Sequence, residues 1–246
     1  MFKYQILVEY EGTGYVGWQI QKNGLSVQEI IQKALKKLIK KKITIFGSGR
    51  TDAGVHAIGQ SAHFESSYLV KNKIRFIKSI NFFLSGYSIS ILDIKKKQNS
   101  FHARHSAKKR TYKYNIVNRN ALLALDKNRA WHLRKKLNIK LMRQGIKLLE
   151  GTKDFSTFRA SSCSAKSPIR TLEKSKITKA NNRIEITFVS KSFLQQQVRS
   201  MVGCLKYLGE NKWTLKKFKN VLLSKKRFNC APPAPPQGLY LIKVDY

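Results

Sequence analysis

Residues Gly47–Ala57 read GSGRTDAGVHA, a glycine-rich stretch that carries one guanidinium, Arg50, and one carboxylate, Asp52. Its three glycines allow backbone angles that other residues avoid, and they let a ligand approach the main chain closely. The residues on either side, Ile43–Phe46 and Gly59–Phe64, have the composition of short strands. The stretch therefore predicts a strand, a loop that presents Asp52, and a second strand. The alternative is a tight turn in which Asp52 only caps its own backbone.

The composition of the whole chain indicates a polyanionic partner. The 246 residues suffice for two domains of about 120 residues each, and the apolar fraction of 42% supports packed cores. Lys and Arg number 49 against 13 Asp and Glu, so the formal net charge is +36. Such a charge repels itself unless a polyanion balances it, and nucleic acid is the main candidate. Lys, Ile and Asn are all used heavily, as happens in an AT-biased genome. Part of the positive charge is therefore attributed to this bias towards lysine.

The cysteines and the N-terminus indicate the compartment. Cys163, Cys204 and Cys230 are odd in number and show no Cys-x-x-Cys spacing. They predict reduced thiols rather than a disulfide framework or a zinc site. The chain begins as a strand without an apolar signal region, and no apolar run approaches membrane-spanning length. We therefore expect a soluble, cytoplasmic protein.

Hydrophobic periodicity predicts the order βαββαβ in the first half of the chain. A capping-box pattern at Ser26–Glu29 marks the start of the first helix, and Lys40–Lys42 mark its end. The other predicted elements flank this helix and the glycine-rich stretch: strands at Phe2–Tyr10 and Ser88–Ile94, and a helix at Lys71–Phe83. The polar, basic segment Phe101–Ser106 follows and predicts a boundary between domains at residues 1–105 and 106–246.

The second half predicts the same order with one extra helix. Strands are expected at Arg110–Asn118, Thr171–Thr178, Arg183–Ser190 and Leu239–Val244. Helices are expected at Ile139–Leu149, Ser192–Leu208 and Leu215–Leu223. The two halves share no obvious sequence repeat. The inference that the fold is duplicated therefore depends only on the order of the predicted strands and helices. The predicted class is α+β.

Several kinds of active site are excluded by the residues present. The carboxylates occur one at a time rather than in the converging sets that a metal-dependent nuclease needs. The zinc-deaminase ligand set and the nucleophile-elbow motif are both absent. Single-carboxylate chemistry on a polyanion remains. An Asp52 beside Arg50 would stay ionised and could act as nucleophile or base at a sugar carbon.

Aromatic residues fit a nucleic-acid substrate. Tyr112 and Tyr114 lie two positions apart on a basic strand and therefore face the same side of a sheet. Such a ring can stack on a base removed from its helix, although both tyrosines could equally be core residues. Phe155–Arg159 is either a packed turn or an RNA-facing loop, and His56 and His63 are interpreted as structural.

The stretch Gly49–Ala57 resembles the signature of the tRNA pseudouridine synthase A family. Further matches occur in order along nearly the whole chain, at Tyr15–Gln19, Val27–Gln28, Phe101–Arg104, Arg110–Tyr114, Asp154–Arg159, Val198–Gly203 and Gly238–Leu241. One segment departs from the family pattern, because Gln195–Gln197 stand where the family usually has a histidine and a methionine.

The resemblance implies an isomerase that cuts the uridine C1′–N1 bond, turns the base and rejoins it through C5. The implied substrate is the tRNA anticodon stem-loop, around tRNA positions 38 to 40. The implied fold is two ferredoxin-like halves that share a central, mostly antiparallel sheet with helices on one face. A homodimer with composite RNA-binding clefts is implied as well, with no cofactor and no metal.

The resemblance also implies roles for particular residues. Asp52 would be the catalytic carboxylate, and Tyr112 would stack on the target base. Arg199 would pair with Asp52, Arg50 would support the loop, and Leu239 would line the pocket. The residues themselves had already indicated Asp52, Tyr112 and the polyanion, whereas Arg199 and Leu239 come from the resemblance alone.

Two functions of other classes compete with this interpretation. A non-catalytic RNA-binding module of the RRM type would show a basic-Gly-aromatic-Gly-aromatic pattern on a central strand. Arg110–Val117 has no such glycines, and an RRM has no use for the Arg50–Asp52 loop. A hydrolytic glycosidase usually needs a second carboxylate as acid, and the sequence offers none near Asp52.

Overall fold

The computed structural model describes all 246 residues, and the chain divides into two compact units. The first unit comprises Met1–Lys108 and Tyr240–Tyr246, and the second comprises Lys109–Leu239. Each unit combines a sheet with helices, so the predicted α+β class is confirmed. No helix combines the length and the apolar character that a membrane span requires.

Both units contain helices and strands that are interspersed along the chain. The first part of the chain forms β1 (Phe2–Tyr10), α1 (Val27–Ile39), β2 (Ile45–Gly47), β3 (His56–Ser66), α2 (Lys73–Leu84) and β4 (Ile89–Lys97). The second unit contains β5 (Lys109–Asn118), β6 (Trp131–Leu133), α3 (Ile139–Lys147), β7 (Gly151–Asp154), β8 (Ile169–Ala180), β9 (Arg183–Ser190), α4 (Gln197–Gly209) and α5 (Leu215–Leu223). The chain then forms β10 (Leu239–Asp245).

In the first unit, strand β3 is the centre of the sheet. The strands follow the order β4-β1-β3-β2, and each of these pairs is antiparallel. One edge of β3 pairs with β1 along almost its whole length, so β2 and β10 share the other edge. Strand β2 pairs with β3 at Ala62–Phe64, and β10 runs parallel to its start, opposite His56 and Ala57. A Cβ at Gly59 would lie 2.4 Å from the carbonyl oxygen of Ile242, so the glycine permits this approach.

Helix α1 provides much of the core of the first unit. Its apolar residues recur at helical spacing and are buried, namely Val27, Ile30, Ile31, Ala34 and Leu35. The side chain of Ser26 caps the helix by accepting a hydrogen bond of 3.2 Å from the Glu29 backbone N–H. The Glu29 carboxylate pairs with Lys33 at 2.6 Å. The serine of the predicted capping box is therefore confirmed as the cap, and the glutamate forms an i,i+4 ion pair.

In the second unit, the strands follow the order β5-β9-β8-β7, and β6 runs parallel to β5. Strands β8 and β9 form a hairpin, with Asn181 at φ +52° in its turn. Helices α3 and α4 pack closely, since a Cβ at Gly145 would lie 2.2 Å from a methyl carbon of Leu208. A side chain at this position would therefore require the end of the Leu208 side chain to move.

The prediction of a helix over Ser192–Leu208 is wrong at its start. The helix begins at Gln197, because Gln196 adopts a left-handed conformation with φ +59° and interrupts the helical backbone. The Gln197 side chain accepts a hydrogen bond of 2.8 Å from the Leu194 N–H, and this contact stabilises the entry to the helix. Strands β6 and β7, of three and four residues, were not predicted, because a period of two cannot be recognised over so few positions.

The cap of α1 gives a direct test of this packing. Ser26→Ala should lower the free energy of unfolding by about 1 kcal/mol, because the partly buried Glu29 N–H loses its acceptor. Ser26→Thr keeps the hydroxyl and should stay close to the wild type. Urea unfolding of the three proteins, followed by circular dichroism, measures the difference. Equal midpoints for Ala and Thr would show that the hydrogen bond is not what starts the helix.

Candidate active site

Asp52 lies in the loop of residues 48–55, which joins β2 to β3 without regular structure. The start of this loop is fixed by β3. The Ser48 N–H donates to the carbonyl of Ser61 at 2.7 Å, and the Ser48 hydroxyl donates to Gln60 Oε1 at 2.7 Å. Gln60 Nε2 in turn donates to the carbonyl of Gly49 at 3.0 Å. Gln60 is completely buried, and both ends of its amide hold the loop.

The middle of the loop is fixed by the end of β1 and by the segment after β1, residues 11–26, which leads to α1. The Trp18 N–H donates to the carbonyl of Thr51 at 3.2 Å, and the hydroxyls of Tyr10 and Thr51 share a hydrogen bond of 2.8 Å. Gly17 has φ +106°, and a Cβ there would lie 2.5 Å from the Thr51 carbonyl oxygen. The residue directly before Asp52 is therefore held through both its backbone and its side chain.

The end of the loop closes on itself and on the same segment. The Val55 N–H donates to the carbonyl of Asp52 at 3.2 Å, and Gly54 has φ +76° in the turn between them. A Cβ at Gly12 would lie 2.1 Å from the Val55 carbonyl oxygen, so the two segments are in direct contact. Asp52 itself is half-buried. Its backbone is fixed on both sides, which restricts the positions that the carboxylate can take.

His56 and His63 have contacts that agree with a structural role. His56 is buried, and its Nδ1 accepts a hydrogen bond of 2.9 Å from the Gly12 N–H. A neutral ring must then carry its proton on Nε2. His63 is also buried, and its Nδ1 accepts from the Ala103 N–H at 3.2 Å. Burial lowers the pKa of His63 to about 4, so this ring is neutral at physiological pH.

The aromatic residues of the segment after β1 differ in their roles. Trp18 is buried, with only 1% of its surface exposed. A Cβ at Gly47 would lie 2.4 Å from the indole nitrogen of Trp18, so the end of β2 packs directly on this ring. Tyr15 is half-buried, and its hydroxyl accepts a hydrogen bond of 2.9 Å from the Ser88 N–H. Both rings anchor the segment that supports the loop.

Arg50 lies on the surface of the first unit. Its guanidinium forms no salt bridge in the structure, with Asp52 or any other carboxylate. The exposed side chain is available to an external anion, and its supporting role stays a prediction.

The two tyrosines of β5 lie in different surroundings. Tyr112 is 8% exposed, and its ring meets that of Phe193 in a T-shaped contact with 5.2 Å between centroids. Tyr114 is fully buried, and its hydroxyl donates to the carbonyl of Pro235 at 2.7 Å. Burial raises the pKa of Tyr114 far above its ordinary value. Tyr114 is therefore a core residue. Tyr112 is buried as well, and its contact with a base stays a prediction.

Arg199 connects α4 to the proline-rich segment of residues 231–238. Its Nε donates to the carbonyl of Ala234 at 2.8 Å, and its own carbonyl accepts from the Ala234 N–H at 2.9 Å. A Cβ at Gly238 would lie 2.6 Å from the ring of Tyr114, so the end of the segment is fixed as well. Leu239 follows directly and is 5% exposed. Tyr114 and Arg199 thus determine where the second unit places Leu239.

The turn Phe155–Arg159 is resolved in favour of packing. Phe155 and Phe158 are fully buried, and the Thr157 hydroxyl donates to the carbonyl of Val221 at 3.0 Å. The turn stabilises the core of the second unit beside α5. No group of three or more His, Cys, Asp or Glu side chains is arranged to bind a metal ion.

The candidate residues thus occur in both units: Asp52 and Arg50 in the first, and Tyr112, Arg199 and Leu239 in the second. Sequence reasoning missed the residues that support the loop, Gln60, Thr51 and Tyr10. Only the glycines of the segment after β1 carried a signal for them, because a glycine often marks a close approach of two backbones.

The first unit thus presents one aspartate, Asp52, on a loop whose backbone is held by β3 and by the segment after β1. The profile of the tRNA pseudouridine synthase family matches residues 6–104 and 146–246 of the chain. A protein named tRNA pseudouridine synthase A from Pelagibacter ubique (strain HTCC1062) is 61% identical over 246 residues, which cover 100% of both chains. Proteins of the same name from Parvibaculum lavamentivorans and Ehrlichia chaffeensis are 42% and 44% identical, over 100% and 99% of this chain and 100% of their own lengths.

The chain belongs to the tRNA pseudouridine synthase family. It is therefore an isomerase that makes pseudouridine in tRNA.

The contact between Gly17 and the loop can be tested with a neighbouring glycine as control. Gly17→Ala should introduce roughly 1–3 kcal/mol of backbone strain and displace Thr51. A displacement of about 1 Å at Asp52 should lower pseudouridine formation on the order of 100-fold. Gly14→Ala should change neither activity nor melting temperature, because nothing lies within 4 Å of a Cβ at that position. If both variants were equally active, the Gly17 contact would not control the position of Asp52.

Proposed function

We propose that the chain converts uridine to pseudouridine in the tRNA anticodon stem-loop, around tRNA positions 38 to 40, and that Asp52 is the catalytic carboxylate. One observation supports this assignment above the others. The backbone on both sides of Asp52 is fixed by β3 and by the segment after β1, through the hydrogen bonds of Ser48, Gln60 and Thr51. A loop that only had to turn would not need such support.

The reaction requires a negative charge positioned at the target nucleotide and enough space for the base to rotate. The C1′–N1 bond breaks, the uracil rotates, a C1′–C5 bond forms, and the proton leaves C5 while N1 gains one. Atoms and electrons balance without an oxidant or a second substrate. An ionised Asp52 supplies negative charge at the sugar or the base, as a nucleophile or as a base.

The other candidate residues would bind and orient the target nucleotide. Tyr112 stacks on the displaced uracil, and the T-shaped contact with Phe193 supports this role because it holds the ring in one orientation. Leu239 lines the pocket and Arg199 pairs with Asp52, roles that the resemblance to the family implies. Arg50 contacts an RNA phosphate or supports the loop.

The partners follow from charge and from the resemblance to the family. A net charge of +36 favours binding of the tRNA backbone through phosphate contacts. The homodimer with composite clefts is proposed from the resemblance. We also propose a cytoplasmic location, where tRNA would meet the enzyme.

Replacement of the carboxylate separates catalysis from binding. Asp52→Asn keeps the shape of the side chain but removes the negative charge, so pseudouridine formation should fall below detection. Binding of tRNA should be equal or slightly tighter, because a charge that repels phosphate is lost. The free energy of unfolding should change by about 1 kcal/mol or less.

Asp126→Asn is the matched control. Asp126 pairs with Arg183 at 2.6 Å in the second unit, and its replacement removes the same charge away from the loop. The measurements are melting temperature, tRNA affinity and pseudouridine formed, on one preparation of each protein. The assignment of Asp52 is wrong if the folded Asp52→Asn protein retains activity within about tenfold of Asp126→Asn, a difference of about 1.4 kcal/mol in barrier height.

The stacking role of Tyr112 predicts different results for its two simplest variants. Tyr112→Ala should weaken tRNA binding by about 1–3 kcal/mol, whereas Tyr112→Phe keeps an aromatic face and should bind like the wild type. Tyr87→Ala, at an exposed tyrosine before β4, controls for a general loss of aromatic surface. Filter-binding titrations with unmodified tRNA give the affinities. Wild-type binding by Tyr112→Ala would show that the residue belongs only to the core.

A further inference from the structure

Two cysteines that lie 26 residues apart in the sequence meet in the second unit. Cys204 is in α4 and fully buried, and Cys230 follows the short 3₁₀ turn Arg227–Asn229 and is partly exposed. Their sulfur atoms lie 3.4 Å apart, and both cysteines are free thiols. A disulfide bond of about 2.05 Å would require the two sulfurs to move only slightly towards one another.

The surroundings make the two thiols unequal. Arg227 lies beside the pair, with its Nη1 donating to the Ser200 hydroxyl at 2.8 Å. The hydrogen bond from Cys204 and the positive charge of Arg227 lower the pKa of Cys230. The hydrogen bond to Cys230 and burial raise the pKa of Cys204. The more accessible sulfur is therefore also the one that ionises first, and the second thiol lies directly behind it.

We propose that Cys204 and Cys230 form a dithiol modification site that reacts with low-molecular-weight disulfides and closes to an intramolecular disulfide. The Cys230 thiolate attacks one sulfur of the small disulfide, forms a mixed disulfide and expels one thiolate. Cys204 then loses its proton, attacks the Cys230 sulfur and expels the second thiolate. The two protein thiols are oxidised by two electrons, and the small disulfide is reduced to two thiols.

The position of the site gives the modification a structural consequence. Cys230 directly precedes the proline-rich segment of residues 231–238, which Arg199 of the same helix holds at Ala234. A bond from Cys204 to Cys230 would fasten this segment to α4 at a second point, covalently. The proposal depends on the geometry of the thiols and not on the role of Asp52.

The test uses the folded, full-length protein incubated with oxidised glutathione, followed by alkylation with iodoacetamide and peptide mass mapping. We expect a peptide pair joined by Cys204–Cys230, without bound glutathione, and an alkylated Cys163. Cys163 is the internal control, since it is also buried but lies in a different loop. The proposal would be overturned if all three thiols were still free to react with iodoacetamide after the incubation. Oxidation of Cys163 to the same extent as Cys204 and Cys230 would also overturn it.

Single variants test the order of the two steps. Cys204→Ser lacks the resolving thiol, so one glutathione should accumulate on Cys230. Cys230→Ser leaves only the buried thiol, which should react at least about tenfold more slowly than the wild type. Equal rates for the two variants would contradict the assigned roles. Circular dichroism verifies that each variant is folded, and Cys204→Ala replaces Cys204→Ser in the same assay if the serine variant melts early.

Discussion

The shared edge of β3 is the constraint on which the candidate site depends. Strand β2 takes the part of this edge around Ala62–Phe64, and β10 takes the part around His56 and Ala57. Strand β2 ends at Gly47, opposite Ala62. The chain must therefore run back along β3 before it enters that strand at His56. The loop of residues 48–55 follows this path. Gln60 lies in β3, and its side-chain amide forms hydrogen bonds with Ser48 and Gly49 of the loop.

The second support of the loop comes from close backbone approach. Gly12 and Gly17 lie where any side chain would collide with Val55 or Thr51. The segment after β1 can then bind the loop through main-chain groups, while the rings of Trp18 and Tyr10 are buried. A polar, glycine-rich loop would otherwise be mobile, so the fixed position of Asp52 reflects contacts made outside the loop itself.

Elements with strong local signals were predictable from the sequence. The bounds of β1 and β9 agree with the prediction, because alternating residues lie between clear turn signals, and α1 begins after Ser26 as its cap indicated. Asp52 was singled out by composition, as a carboxylate among glycines in a basic chain. Its catalytic role, like the roles of Tyr112 and Arg199, remains a prediction.

The features that sequence reasoning missed are long-range ones. The amide of Gln60, the burial of Trp18 and the approach of Cys204 to Cys230 all depend on segments far apart in the chain. The start of α4 was misplaced for a different reason. The left-handed Gln196 has no composition signal, because glutamine rarely adopts this conformation.

The return of β10 to the first unit affects how the protein is made. This strand follows the whole second unit in the chain, yet it pairs with β3 at His56, next to the loop that carries Asp52. During synthesis from the N-terminus, β3 must wait with part of its edge open until every residue of the second unit has been added. Strand β10 can occupy this edge only after translation has passed residue 240, and before that point the open edge is available to chaperones or to other strands.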